Sequence, residues 1–281
     1  MEHIEIPAGD FVFDALAAGP ADGELVVLLH GFPQTSRSWR HLLPVLAEAG
    51  YRAVAPDQRG YSPRARPDAV DDYRIEHLVA DVLAIADWEG GHRFHLIGHD
   101  WGAAVAWQVA GRYPQRLRTL TILSVPHPLA MSRALSGEGG SDQAERSSYM
   151  QFFRSDGAED QMLADDAQGL RNLYLGSGMA ADDAAAYLEV MGERGALRGG
   201  LNWYRAADPS IADGLGPITT PTMFVWSTND LALGRHGAEA TADHVEGPYR
   251  FEVLEGVSHW IPEEAPDALA RLVIEHLVSD E

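Results

Sequence analysis

The pentapeptide Gly98-His99-Asp100-Trp101-Gly102 constrains this chain more than any other segment. An apolar run at 94–97 precedes it and an Ala-rich run at 103–110 follows. Strand, sharp turn and helix form the setting of a nucleophile elbow, G-x-S-x-G, with aspartate in the serine's place. Small residues flank such a turn so that the central side chain projects into a cleft. Exchanging serine for aspartate changes the chemistry. At a carbonyl carbon a carboxylate would form an anhydride. At a saturated carbon it forms an alkyl ester that water can cleave. The turn therefore points to ring opening or halide displacement rather than to a serine-type esterase, and no G-x-S-x-G occurs elsewhere.

Around this turn, short apolar runs alternate with amphipathic helical ones, the pattern of a parallel sheet covered by helices. Runs 4–6 and 11–16 read as early strands that could pair as a hairpin. Run 25–29 is continuously apolar, as in a strand buried on both faces. A helix is expected over 39–49 and a strand over 52–55. Residues 73–88 carry a helical period at Ile75, Leu78, Val82, Ile85 and Ala86. After the elbow comes a strand at 120–123, and then the alternation breaks. From 127 to 214 only helical patterns and glycine-rich joints, at 137–141 and 176–178, are found. Strands return at 223–226 and 249–254, with helices at 236–245 and 265–278. The expected architecture is an α/β-hydrolase fold. Its core spans 1–126 and 215–281, and a helical cap, 127–214, is inserted after the sixth strand.

Composition excludes several classes. The chain has 281 residues, 46% of them hydrophobic, enough for a sizeable core. Its formal net charge is −21, which opposes binding to nucleic acid or an anionic membrane. It has no cysteine, so disulfides and a thiol nucleophile are excluded. His95 and His99 are not read as a metal pair, because H-E-x-x-H is absent; no metal or cofactor is expected. The start lacks a basic, apolar leader and no run has membrane-spanning length. A cytoplasmic protein, monomer or homodimer, is the expectation.

Three residues fall after strands in the order nucleophile, acid, histidine: Asp100, Asp230 and His259. That is the chain order of the α/β-hydrolase triad. Catalytic groups in such sheets gather beyond the carboxyl ends of the strands. Asp230 would orient the imidazole and stabilise its protonated form. Asp57 precedes the nucleophile and is read as a structural partner of Arg59. The loop His30-Gly31-Phe32-Pro33 follows the 25–29 strand, where this fold draws an oxyanion-hole N–H. The N–H groups of Phe32 and Trp101 are the expected donors, with His30 buried beneath the loop. Trp101, Phe153, Trp203 and Trp260 are the candidate substrate-binding aromatics.

On these residues the chain resembles an epoxide hydrolase of the α/β-hydrolase superfamily, the type with an aspartate nucleophile. The resemblance rests on His30-Gly31-Phe32-Pro33-Gln34-Thr35-Ser36, Asp57-Gln58-Arg59-Gly60-Tyr61-Ser62, the elbow, and the Asp230 and His259 segments. It covers the core from about residue 25 to 265. Leu201-Asn202-Trp203-Tyr204-Arg205 is similar to the segment that carries one of the family's two ring-opening tyrosines. Tyr149, in Ser148-Tyr149-Met150-Gln151-Phe152-Phe153, is the other by spacing and flanking aromatics, with Tyr174 and Tyr187 as alternatives. The resemblance implies hydrolysis of an apolar epoxide to a vicinal diol, with water as the second reactant. A dehalogenase is the nearest rival, but Phe32 offers no side-chain halide donor, and Trp101 stands where arginine would bind a carboxylate substrate. A non-catalytic small-molecule-binding member of the same fold is the rival of another class.

Overall fold

The computed structural model describes residues 1–212 and 214–278. Within them the chain builds one eight-stranded sheet. Strands β1 (Glu2–Ala8) and β2 (Phe11–Ala18) form an antiparallel hairpin. They are followed by β3 (Leu25–Leu29), β4 (Arg52–Pro56), β5 (Phe94–His99), β6 (Leu117–Leu123), β7 (Thr222–Ser227) and β8 (Tyr249–Leu254). The order is β1-β2-β4-β3-β5-β6-β7-β8; β2 meets β4 antiparallel and every later pair is parallel.

Continuous apolar strands arise because both faces are covered. All five residues of β3 are buried. Val27 and Leu29 pack with one apolar cluster and Val26 and Leu28 with the other, as the two-residue period of a strand requires. Helices α2 (Ile75–Trp88) and α3 (Trp101–Arg112) bring Val82, Ile85, Val105 and Val109 to the first face. Helices α1 (Leu42–Glu48) and α12 (Pro266–Val278) bring Leu43, Leu46, Leu269 and Val273 to the second.

Between β6 and β7 lies the helical insert: α4 (Pro128–Leu135), α5 (Gln143–Arg146), α6 (Tyr149–Arg154), α7 (Ala158–Gly176), α8 (Ala181–Met191) and α9 (Arg194–Ala206). Its buried residues Phe153, Leu170, Tyr174, Tyr187 and Leu201 join the first cluster without a break. Helices α10 (Arg235–Ala240) and α11 (Ile261–Glu264) complete the fold. No helix among the described residues is long and apolar enough to cross a membrane.

Element boundaries differ from expectation at three helices, two of them at a proline. The helix expected from Trp39 is a 3-10 turn, Ser36–Trp39, followed by α1. Pro44 has no N–H to donate to an earlier carbonyl, so it sits in the first turn of a new helix. The closing helix starts at Pro266, where a preset φ suits a first position. The helix expected over 236–245 ends early, its last stretch being a 3-10 turn at Thr241–His244.

The topology locates a crevice. β3 is flanked by β4 on one side and β5 on the other, so the chain leaves it in opposite directions. Ligands in open α/β sheets bind at such a reversal. Leu29 pairs with Gly98, and the loop after β3 therefore emerges beside the elbow after β5.

Candidate active site

Asp100 stands at the elbow with φ 51° and ψ −121°. This conformation is sparsely populated for a residue with a side chain and costs about 1–3 kcal/mol. Close packing imposes it. A Cβ at Gly98 would lie 2.5 Å from Gly102 O, and one at Gly102 would lie 2.2 Å from Leu29 O. Gly31 crosses directly over the acid, since a Cβ there would lie 2.3 Å from Asp100 Cβ. That approach lets Phe32 N–H donate to Asp100 Oδ1 at 2.8 Å. Oδ2 is left on the side of His259, 3.6 Å from its Nε2. Trp101 N–H belongs to the first turn of α3, where backbone donors have no intrahelical acceptor.

Asp230 and His259 reach the same point from the ends of β7 and β8. Asp230 Oδ1 accepts from the N–H groups of Ala232 and Leu233, at 2.8 and 2.9 Å. Its Oδ2 lies 2.8 Å from His259 Nδ1. This orients the ring so that Nε2 lies 3.6 Å from Asp100 Oδ2. All three residues are buried.

The insert supplies the opposite wall. Tyr149 of α6 and Tyr204 of α9 meet edge to face with centroids 6.5 Å apart. With Asp100 and Trp101 they line a cavity of about 370 Å³. The other walls are mostly apolar, from Val125, Pro128, Met131, Leu135 and Met150. Trp101 also packs edge-on against Tyr204, with centroids 5.0 Å apart.

Comparison with known proteins agrees with this geometry. The α/β-hydrolase-fold family model matches residues 24–266. The chain is 33% identical to epoxide hydrolase A of Mycobacterium tuberculosis over 92% of both chains. It is 34% identical to the AB hydrolase superfamily protein YfhM of Bacillus subtilis, over 93% of this chain and 92% of that one. Among solved structures, epoxide hydrolase A of Mycobacterium thermoresistibile superposes with a TM-score of 0.86, at 31% identity and 98% coverage of each chain. The chain belongs to the epoxide hydrolase family of α/β hydrolases.

In this epoxide hydrolase family member, electrostatics sort the groups by role. Burial alone would push the His259 imidazole down, but the carboxylates of Asp230 and Asp100 outweigh it and hold it up at about 10. Burial acts against the Asp100 carboxylate, yet contact with His259 and the Phe32 N–H leaves it below its ordinary range. The resting site is thus a cation between two anions. Tyr149 and Tyr204 are both raised, first by burial and then by neighbouring negative charge, which includes Asp100 for both. They remain protonated donors across the working pH range.

Three of the aromatics expected at the substrate pack beside residues that line the main cavity or beside His259. Phe153 is wedged between Phe32 and Tyr204. Trp203 donates its indole N–H to Arg59 O and packs on Tyr61. Trp260 donates to Ser177 Oγ and packs on Tyr174. None of the three lines the main cavity; each backs a residue that does or stands behind His259. Tryptophan needs a partner for its N–H when buried, and here backbone and hydroxyl acceptors behind the cavity provide it.

The Asp57–Arg59 pairing also fails. Asp57 Oδ1 accepts from Ser36 N–H at 2.7 Å, and Arg59 pairs with Asp81 at 2.7 Å. Tyr174 and Tyr187 point away from the cavity, to Pro33 O and Glu263 Oε1. His30 is buried as expected; its Nδ1 lies 2.9 Å from Gly31 O, and its Nε2 accepts from Gln58 N–H at 3.2 Å. Among the described residues no group of three or more His, Cys, Asp or Glu is placed to hold a metal ion.

Sequence reasoning assigned no role at the site to Gln34, His99 or Glu263. Gln34 and His99 lie in the loop and elbow segments already singled out, whereas Glu263 is signalled only by standing four residues after His259.

Proposed function

We propose that this chain hydrolyses a small apolar epoxide to a vicinal diol, with Asp100, His259, Asp230, Tyr149 and Tyr204 as its catalytic residues. The observation that carries the reading is the placement of two phenols across one apolar cavity from a buried carboxylate. In this reading the insert (127–214) is the cap over a core of 1–126 and 215–281.

Oδ2 of Asp100 attacks a ring carbon, and the far C–O bond breaks. An unassisted alkoxide is a very poor leaving group. The two O–H donors hold the ring oxygen, and one delivers its proton as charge develops, recovering it later from water. The product of this step is a neutral ester. It removes one of the two negative charges that held His259 protonated, so the imidazolium releases its proton to the water from which the phenolate recovers its own, and becomes a base. His259 Nε2 then takes a proton from water, which attacks the ester carbonyl carbon. The Phe32 N–H, joined by Trp101 N–H, stabilises the oxygen that becomes negative. The leaving oxygen takes the proton held by His259, the Asp100 carboxylic acid gives its own to the imidazole, and the diol departs from a restored carboxylate and imidazolium. An apolar epoxide and water are the only reactants required.

A single turnover in H₂¹⁸O tests the sequence of steps. The label should enter Asp100, not the diol, because water attacks the carboxyl carbon. Label in the diol alone would mean direct attack on the ring and would sink the proposal. Replacing Tyr149 or Tyr204 with Phe should slow ester formation by about 10²- to 10⁴-fold, the usual range for a lost general acid. Rapid-quench measurement checks this, and an unaltered rate in both variants would remove the phenols from the mechanism.

A further inference from the structure

Behind His259 lies a chain of buried polar groups that the steps above do not use. His99 Nε2 sits 2.9 Å from His259 O, and its Nδ1 sits 2.8 Å from Gln34 Oε1. Gln34 Nε2 donates to Glu263 Oε1 at 2.8 Å. The same oxygen accepts from the Tyr187 hydroxyl at 2.5 Å. Glu263 is only partly buried as a residue, but its carboxyl end is enclosed, and Oε2 has no partner among the described residues.

Gln34 is the junction of this chain. Its backbone N–H donates to Gly31 O at 3.0 Å, so it closes the loop that aims Phe32 N–H at Asp100. Its side chain faces His99, which holds the carbonyl of His259. One residue thus sets both the oxyanion donor and the base, and Glu263 holds that residue's amide. The insert reaches the same spot twice, with Tyr187 on Glu263 and Tyr174 donating to Pro33 O at 2.6 Å.

Hydrogen bonding orients the Gln34 amide. Its carbonyl accepts from Gly31 N–H at 3.4 Å and faces His99 Nδ1, while its NH₂ donates to Glu263. Burial pushes the Glu263 carboxyl up to about 7, against the Tyr187 hydroxyl and the Gln34 amide, which favour the carboxylate.

We infer that Glu263 is a positioning residue for ester hydrolysis, acting through Gln34 on the Phe32 loop and on His99–His259, and tied to the insert by Tyr187. The inference rests on the reading proposed above. Its consequence is selective. Ester formation needs Asp100 Oδ2 and the phenols; the network reaches Asp100 only through the Phe32 N–H on Oδ1 and the chain at His99, and it makes no hydrogen bond to either phenol. Ester cleavage needs the Phe32 N–H and His259, and it fixes both.

Glu263→Met, Glu263→Gln and Tyr187→Phe test this, with styrene oxide as probe and rapid-quench intact mass as readout. Misplacing a catalytic group by about 1 Å can cost about 10²-fold. Glu263→Met should slow ester cleavage by about 10- to 100-fold while ester formation changes less than about threefold. The Asp100 ester should therefore accumulate. Glutamine can donate or accept, so Glu263→Gln should restore cleavage to near the parent rate. If Glu263→Met fails to fold, Tyr187→Phe carries the test, with a smaller effect in the same direction. Equal slowing of both steps would mean a merely structural role and overturn the inference, as would unchanged cleavage in both Glu263→Met and Tyr187→Phe. An ester that forms in the parent but does not accumulate in these variants overturns this inference alone. No Asp100 ester in the parent or in a His259→Ala variant overturns the proposed function with it.

Discussion

His259→Ala, incubated with an apolar epoxide, is expected to gain the mass of the whole epoxide on Asp100 and to keep it. The nucleophile, its Phe32 donor and both phenols are untouched by the substitution, so the ring still opens. The ester then meets water without a base. Loss of general-base assistance slows such a step by about 10²- to 10⁴-fold, enough to hold the intermediate through digestion and mapping. Intact-mass spectrometry with peptide mapping gives the answer. Haloalkanes provide the contrast. A gain of only an alkyl group, with halide released, would make the chain a dehalogenase despite Phe32. No adduct from either panel, together with tight binding of small molecules, would favour a non-catalytic member of the fold.

Asp100→Asn should have the larger effect on turnover and an informative one on His259. An amide does not displace at a saturated carbon, so kcat should fall by about 10⁶-fold, the scale of losing a nucleophile in other hydrolases. Intact mass must exclude deamidation back to aspartate. Asparagine also imitates the charge of the esterified residue. The imidazolium at about 10 is held up against burial by two carboxylates, one of them Asp100. Removing that charge destabilises the cation, so His259 should titrate about one to three pH units lower. An NMR titration of the ring reads this directly. An unmoved value would mean that ester formation does not release the base.

Much of the site was legible because its chemistry is local in sequence. Gly98, Asp100 and Gly102 lie within five residues, and their spacing follows from a turn too tight for a Cβ. Asp230 and His259 each follow a recognisable apolar strand, so chain order alone predicted that they would converge. The strands were read well for the same reason: β3, β5 and β7 are buried on both faces and therefore continuously apolar. Helix starts were less legible, because Pro44 and Pro266 act through φ and a missing donor rather than through periodicity. The cavity walls were least legible. Met131, Leu135 and Met150 look like any helical apolar residue, whereas Trp203 and Trp260 attract notice by size alone. Which of them faces the cavity depends on how α4, α6 and α9 lie across the sheet. The link from Glu263 to Gln34 spans 229 positions, and no local pattern announces a bond of that span.

The insert leaves the sheet after Leu123 and rejoins it at Thr222, in strands that are already neighbours. It is an enlarged crossover between β6 and β7, and the eight-stranded order would be the same with a short one. The cover is therefore exchangeable in principle. A graft from a relative would bring its own cavity walls, and with them a new range of substrates. On the inference above it would also have to bring a hydroxyl to the place of Tyr187. If Tyr187 positions Glu263 as inferred, chimaeras that match the sheet but miss that contact should form the ester and cleave it more slowly.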